Sequence, residues 1–408
     1  MIPRQDIEAA GIDLAIRSGP APLAVYDSRI DSADLDASDD LALDLHVRHQ
    51  VLFRAYQSRY IVLPSDPVSG SIIDLLNRHY EPMATRRLDA MRPALETELI
   101  GPHLDTAMAS ASRASYDAYV PAMLEKLRNS APDPFLEYLG HNRFRSDHYK
   151  NFLIQSSADL LAEASASAMG TIGEFGAPQS ALFRVLIDEF GYGVHDKKHS
   201  VLYRATLKDF GLCQEYNAYW PLFDTVTLSL HNAIHYLFQN PRNFFLQVGF
   251  LLFAETSYQR STAQHFRYLR QHHPQVDARY FEEHAHIDLH HTAMVLNEVA
   301  NPLIAQFGPE VGVEVIKGAE LTRAVFASSG AHMLAVSQAF DVAVGRGRAS
   351  YGIPPHGDSI GHCVTPTSAA REAEGPVQVG GLGILDHASD FAAFPVGSIG
   401  RRLDTPSP

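Results

Sequence analysis

The chain has 408 residues, a formal net charge of −14 at pH 7 and a pI near 5.8. That length allows one large domain or two ordinary ones with ample core, and an acidic balance with no basic stripe excludes nucleic acid as the main partner. Two cysteines, Cys213 and Cys363, make no disulfide framework and fit a reducing cytosol. The N-terminus lacks a basic start followed by an apolar stretch, so no signal peptide is expected. The longest apolar run, Phe244 to Ala254, is about half of a membrane span. These features predict a soluble, cytoplasmic protein without a membrane partner.

Residues 1–44 carry ten Asp/Glu against three Arg, together with Gly19-Pro20 and Pro22, and read as an irregular acidic arm. Helical patterns follow over Leu41–Tyr60 and Ile72–Arg92, punctuated by Pro64, Pro67 and Pro102. A second helical block runs from Pro134 to about Gly347, with few strand-like alternations and no internal repeat. Residues 351–408 hold nine Gly and seven Pro, more than a quarter of the segment, which predicts coil. The expected organisation is an arm with accessory helices over 1–130, a helical core over 131–350 and a coil-rich tail over 351–408.

Within the core, the run Glu282-Glu283-His284-Ala285-His286-Ile287-Asp288-Leu289-His290-His291 carries the most chemistry. His284, Asp288 and His291 stand at i, i+4 and i+7, and at about 100° per residue they fall within roughly 60° on a helix. Phe281, Ala285, Thr292, Val295 and Val299 share that arc, whereas Glu282, Glu283, His286, His290 and Asn297 lie opposite. The arc with the three donors is the one a core would bury. Two imidazoles and a carboxylate suit iron or manganese better than magnesium or calcium. The plainer reading is a half-solvated helix whose histidines satisfy one another.

A dinuclear iron(II) centre carries four positive charges and needs about four carboxylates. Glu255 ends the apolar run Phe244–Ala254, a poor place for a charge without a partner, unless the helix surfaces there. Glu189 lies ten residues before His199, and Glu163 lies 26 residues before Glu189. Taken alone, Glu163 and Glu189 read as surface residues.

Together, Glu163, Glu189-x9-His199, Glu255 and His284-x3-Asp288-x2-His291 resemble the ligand pattern of the haem-oxygenase-like diiron oxidases and oxygenases. The phrase Glu189-Phe-Gly-Tyr-Gly-x5-His199-Ser-x-Leu-Tyr, with the later Gly211-Leu212, resembles the same family over residues 131–345. The resemblance implies an all-α, haem-oxygenase-like helical bundle with an extra N-terminal helical region and a Gly/Pro-rich C-terminal tail. It implies Glu163, Glu189, His199, Glu255, His284, Asp288 and His291 as ligands of two iron ions (Fe2+/Fe3+), with O2 as co-substrate and an external electron donor. It also implies a homodimer. The Glu-x9-His gap most resembles the N-oxygenating members, which act on an amine or guanidine of an amino-acid-like small molecule. Desaturation of a C–H bond or oxidative C–C cleavage of an amino or fatty acid is the alternative. A non-catalytic, metal-binding helical protein is a third.

Other readings fare worse. Glu283-x2-His286 matches a ferritin-like pair, but it sits on the polar face and no second Glu-x-x-His completes it. A haem-degrading enzyme needs one proximal histidine rather than a carboxylate-rich cluster. The tail has no cupin-like histidine pattern, which argues against a two-domain N-nitrosating enzyme. Gly380-Gly381-x-Gly383 follows no strand and reads as coil, and no Gly-x-Ser-x-Gly or His-Glu-x-x-His is present. Tyr192 and His195 are either pocket residues or plain loop residues. Arg204, Arg242 and Arg267 are candidates to clamp a substrate carboxylate.

Overall fold

The structure is a computed structural model that describes residues 41–63, 71–216, 218–345, 349–350, 377–379 and 383–385. Of the arm expected over 1–44, residues 1–40 lie outside the described residues, as do Cys363 and the Gly380-Gly381 pair, whereas 41–44 are not irregular but open the first helix. The architecture is all-α, as the sequence predicts. In chain order the helices are α1 (Leu41–Gln57), α2 (Ile72–His79), α3 (Pro82–Leu99), α4 (Gly101–Ala111), α5 (Tyr116–Arg128), α6 (Pro134–Gly140), α7 (Arg145–Leu160) and α8 (Ser165–Gly170). They continue as α9 (Ala177–Glu189), α10 (His199–Asp209), α11 (Thr225–Phe238), α12 (Phe244–His272), α13 (Arg279–Met294), α14 (Asn301–Phe307) and α15 (Pro309–Gly345). Three short strands, Ala349–Ser350 (β1), Val377–Val379 (β2) and Gly383–Leu385 (β3), pair antiparallel with β3 in the middle, so the glycine run expected to follow no strand comes directly after β2, and Gly383 opens β3 rather than coil.

One predicted helix is two. The pattern over Ile72–Arg92 breaks at Tyr80-Glu81, because the Glu81 carboxylate accepts from the amides of Met83 and Ala84, and Pro82 occupies the first helical position. A capping carboxylate followed by proline starts a new helix rather than continuing the old one.

The 29-residue α12 is the spine. It packs most extensively on α13 and α15, and it approaches α15 closely because neither helix has a side chain at the crossing. A Cβ added at Gly249 would lie 1.9 Å from the Val315 carbonyl oxygen, and one at Gly318 would lie 1.9 Å from that of Leu246. Val248, Leu252, Val315 and Ile316 are buried around this contact. Among the described residues, no helix is long and apolar enough to cross a membrane.

The accessory helices pack on the core of their own chain. Along α1, His46 Nδ1 is 3.0 Å from Thr225 Oγ1 and Asn232 Nδ2 donates to the His49 carbonyl at 2.8 Å. Gln57 Nε2 donates to His235 Nε2 at 3.2 Å, and Tyr60 Oη lies 3.1 Å from His235 Nδ1. Phe53 meets Trp220 and Phe223 edge-on in the same seam. This tie between α1 and α11 is polar as well as apolar, so its register is fixed by hydrogen bonds that are costly to leave unmade.

Candidate metal centre

The seven residues singled out by sequence come from four places in the chain and converge at the centre of the bundle. Helix α13 contributes three. His284, Asp288 and His291 are buried, while His286 and His290 are exposed. The period of 3.6 therefore faces the way the pattern predicts. Glu255 comes from the middle of α12, and its Oε2 is 3.3 Å from His291 Nδ1.

Glu189 and His199 are brought together by a tight loop. Glu189 is the last residue of α9 and His199 the first of α10. Between them Gly191, Tyr192 and Gly193 all have positive φ, at 66°, 56° and 77°. A Cβ at Gly191 would lie 2.4 Å from the Lys198 backbone nitrogen, so only glycine lets the loop fold back on itself. The result is His199 Nδ1 at 2.6 Å from Glu189 Oε2. Tyr192 and His195 themselves are exposed loop residues.

Glu163 is not helical. It lies in the turn between α7 and α8, next to Ala164, which has φ 67°. Its Oε1 accepts from the Tyr280 hydroxyl at 2.7 Å and is 3.2 Å from His284 Nε2.

Two overlapping nests of donors result. Ligand atoms of Glu163, Glu189, His199 and His284 all lie within 4.8 Å of one another, and so do those of Glu189, Asp288 and His291. Glu189 belongs to both nests.

The hydrogen bonds around the imidazoles fix which nitrogens face inward. His284 Nδ1 donates to the Tyr280 carbonyl at 2.8 Å, which leaves Nε2 toward Glu163 and Glu189. His291 Nε2 donates to Asp188 Oδ2 at 3.2 Å, which leaves Nδ1 toward Glu255, Glu189 at 3.4 Å and Asp288 at 3.9 Å. Histidines held through one nitrogen so that the other points at carboxylates are the usual arrangement of a metal ligand and its orienting partner.

Charge tells the same story. Burial would lower His284 and His291, but Glu163 and Asp288 raise the first well above its ordinary value, and Glu255, Glu189 and Asp288 raise the second to about 10. Burial would raise Glu189, yet His199, His284 and His291 hold it at about 2. Asp288 is raised well above the usual carboxylate range, by burial and by Glu255 and Glu189 beyond what His284 offsets. Among the described residues, both Asp288 oxygens are buried without a hydrogen-bond partner, and Glu163 Oε2 is likewise orphaned. An ionised carboxylate left this way is strongly disfavoured unless a cation is beside it. Hard carboxylate oxygens with borderline imidazoles fit iron, so the residues present suit the ion.

Three residues beside this cluster escaped the sequence reading as site residues. Asp188 orients His291. Tyr280, one turn before His284, holds Glu163 with its hydroxyl and His284 with its carbonyl. Asp159 stands four residues before Glu163 and is raised to about 7 by burial, then by Glu163 and Glu189. Tyr280 was within reach of the helical period, since it shares the face of His284. Asp188 and Asp159 carried no such signal. The Glu283–His286 pair stays on the outer side of α13, with His286 exposed.

A cavity of about 300 Å3 is bounded by α6, α7, α11, α12, α13 and α15, and it is linked to the cluster through Tyr280, which lines it and bonds Glu163. Asp159, Tyr258 and Tyr280 form the wall on that side, and Phe152, Phe281 and Phe326 line other parts. Arg204, Arg242 and Arg267 do not line it.

Comparison with known proteins agrees with this geometry. Residues 150–326 match the family described as iron-containing redox enzymes. Over 275 residues the chain is 32% identical to a nitrosourea synthase of Streptomyces achromogenes subsp. streptozoticus. The match covers 66% of this chain and 58% of that relative, so the chain spans well under two thirds of the relative's length.

Proposed function

We propose, from the match of residues 150–326 to the iron-containing redox enzymes, that this chain is a non-haem diiron oxygenase that oxidises the nitrogen of an amine or guanidine. The observation that carries the reading is Glu189, one carboxylate shared by two nests of donors. In this reading Glu163, His199 and His284 hold one iron, Glu255, Asp288 and His291 hold the other, and Glu189 serves both. Four carboxylates then balance two ferrous ions, and neutral imidazoles complete the set. When bound, the ions supply O2 activation with electrons from an external donor.

The protein's own residues do the rest. Tyr280 and Asp188 hold the outward nitrogens of His284 and His291, which keeps the other nitrogen of each ring facing the cluster. The buried faces of α12 and α13 keep water from the donors. The cavity behind Tyr258 and Tyr280 presents the substrate to the side of the cluster nearest Glu163. A relative named for making a nitrosourea works at nitrogen, which supports nitrogen over carbon as the atom oxidised. The homodimer implied by the resemblance belongs to the same reading, and sedimentation equilibrium tests it.

The deciding experiment loads the protein with iron and measures metal per chain, O2 uptake and product mass with a panel of amines and guanidines. Two irons per chain, substrate-dependent O2 uptake and a product heavier by one oxygen are expected. A product lighter by two hydrogens would favour desaturation, and a Soret band would favour haem. Labile metal without O2 uptake would reduce the chain to a metal-binding protein.

A further inference from the structure

We propose that the cavity beside the cluster is a cation site for a small amine or guanidine that carries no free carboxylate, with Asp159 as its specificity-determining residue. The proposal rests on the diiron reading for what happens to that ligand, but the argument for the ligand's charge is independent of it.

The charges on the wall are one-sided. Among the described residues, Asp133 and Asp159 line the cavity and no lysine or arginine does. Its two histidines, His231 and His265, are held down to about 4 by burial, so both are neutral at physiological pH. Asp159 is a further acid, and among the described residues it has no ion-pair partner. Burial, then Glu163 and Glu189, raise this carboxyl to about 7, and a ligand cation beside it would restore its charge.

The remaining walls suit the same ligand. Phe152, Tyr258, Tyr280, Phe281 and Phe326 offer aromatic faces and edges, which attract ammonium and guanidinium groups. Ser156, Ser257 and Ser261 offer hydroxyls for N–H donors. A volume of about 300 Å3 sits at the small end of the range for ligand pockets.

The consequence is a selection against amino acids themselves. A free α-carboxylate entering this space would meet two acidic side chains and no cation, and like charges brought together without a counter-ion are repelled. A decarboxylated or carboxyl-masked amine keeps the attraction at Asp159 and avoids the repulsion. Asp159 also stands four residues from Glu163, which would bring the bound nitrogen to the cluster side of the cavity.

Calorimetric titration of the iron-loaded protein under anaerobic conditions, with agmatine, arginine and arginine methyl ester, tests this, with iron per chain measured on each sample. Agmatine and the ester should bind at least about tenfold tighter than arginine, a difference of ~1.4 kcal/mol. Asp159→Asn should weaken agmatine by a similar factor or more and leave iron content unchanged. Gly330→Leu gives a second, structurally mild variant, because Gly330 lines the cavity and a Cβ there meets no atom within 4 Å. It should weaken agmatine and the ester by steric filling alone. Arginine binding as tightly as agmatine, binding of neither, or agmatine binding unchanged in Asp159→Asn overturns the proposal. If iron is held at two per chain while the ligands are not distinguished, the cavity inference fails and the diiron reading stands. If the ligands are distinguished but iron is not held, the reverse is true.

Discussion

Two residues on either side of Asp288, the same side chain meets opposite fates. His286 and His290 are exposed, whereas His284 and His291 are buried among carboxylates. Replacing His284 or His291 with Ala should therefore leave two or three acids uncompensated, remove bound iron and abolish substrate-coupled O2 uptake. Replacing His286 or His290 should change stability by no more than about 0.5 kcal/mol and leave iron content intact. Metal analysis of the four variants decides it, and iron lost from the His286 variant but kept by the His284 variant would restore the ferritin-like pairing with Glu283. The α13 donors were legible in sequence because a helix turns a spacing into a direction. Asp188 and Tyr280 were not assigned roles because those roles exist only across the fold. Asp188 meets His291 at a separation of 103 residues, and Tyr280 meets Glu163 at 117. Glu163 was legible as a residue type in a spacing, but its place in a turn beside a left-handed Ala164 was not.

At the scale of elements, α13 passes directly into a π-helical segment, Val295–Ala300. Such a segment widens the helix and commonly marks a functional site. With three donors on one helix and a weakened ladder beneath them, the Arg279–Met294 helix is expected to depend on metal for its order. Hydrogen exchange should show its amides better protected with iron than after chelation, and equal protection in both states would remove that dependence. The α12–α15 crossing makes a separate prediction. Gly249→Ala pushes a methyl into the Val315 carbonyl and should cost about 1–3 kcal/mol. Gly330→Ala meets open space within α15 and should be neutral or stabilising by up to about 1 kcal/mol. Urea midpoints of the two variants, moving in the same direction by the same amount, would show that the close approach is not what Gly249 is for. The helices themselves were readable from period and proline, and the split at Glu81 was missed because a capping carboxylate looks like any polar residue in a helical pattern.

Across the whole molecule, the seam between α1 and α11 concentrates neutral histidines. Burial lowers His49 to about 4 and His235 to about 3. A histidine whose folded pKa lies below its unfolded value contributes stability above about pH 6.5 and loses it as pH falls toward the folded value. For His235 that loss is about 2 kcal/mol between pH 7 and pH 5. Gln57 already donates to His235 Nε2, so a proton there would face another donor. Wild-type protein should thus lose about 2 kcal/mol more than His235→Gln over that range, read from urea midpoints at the two pH values. Parallel pH profiles would take His235 out of the acid response. That residues 41–63 form part of this seam was not legible, since a short amphipathic helix does not say whether its partner is its own chain or another. The bonds concerned join residues 179, 178 and 175 positions apart. During synthesis, at roughly 5–20 residues per second, α1 must wait on the order of ten to forty seconds before α11 exists to receive it. The first of the described helices thus cannot dock until α2–α11 have been made, and in that interval its apolar and polar inner face is what a nascent-chain chaperone would meet.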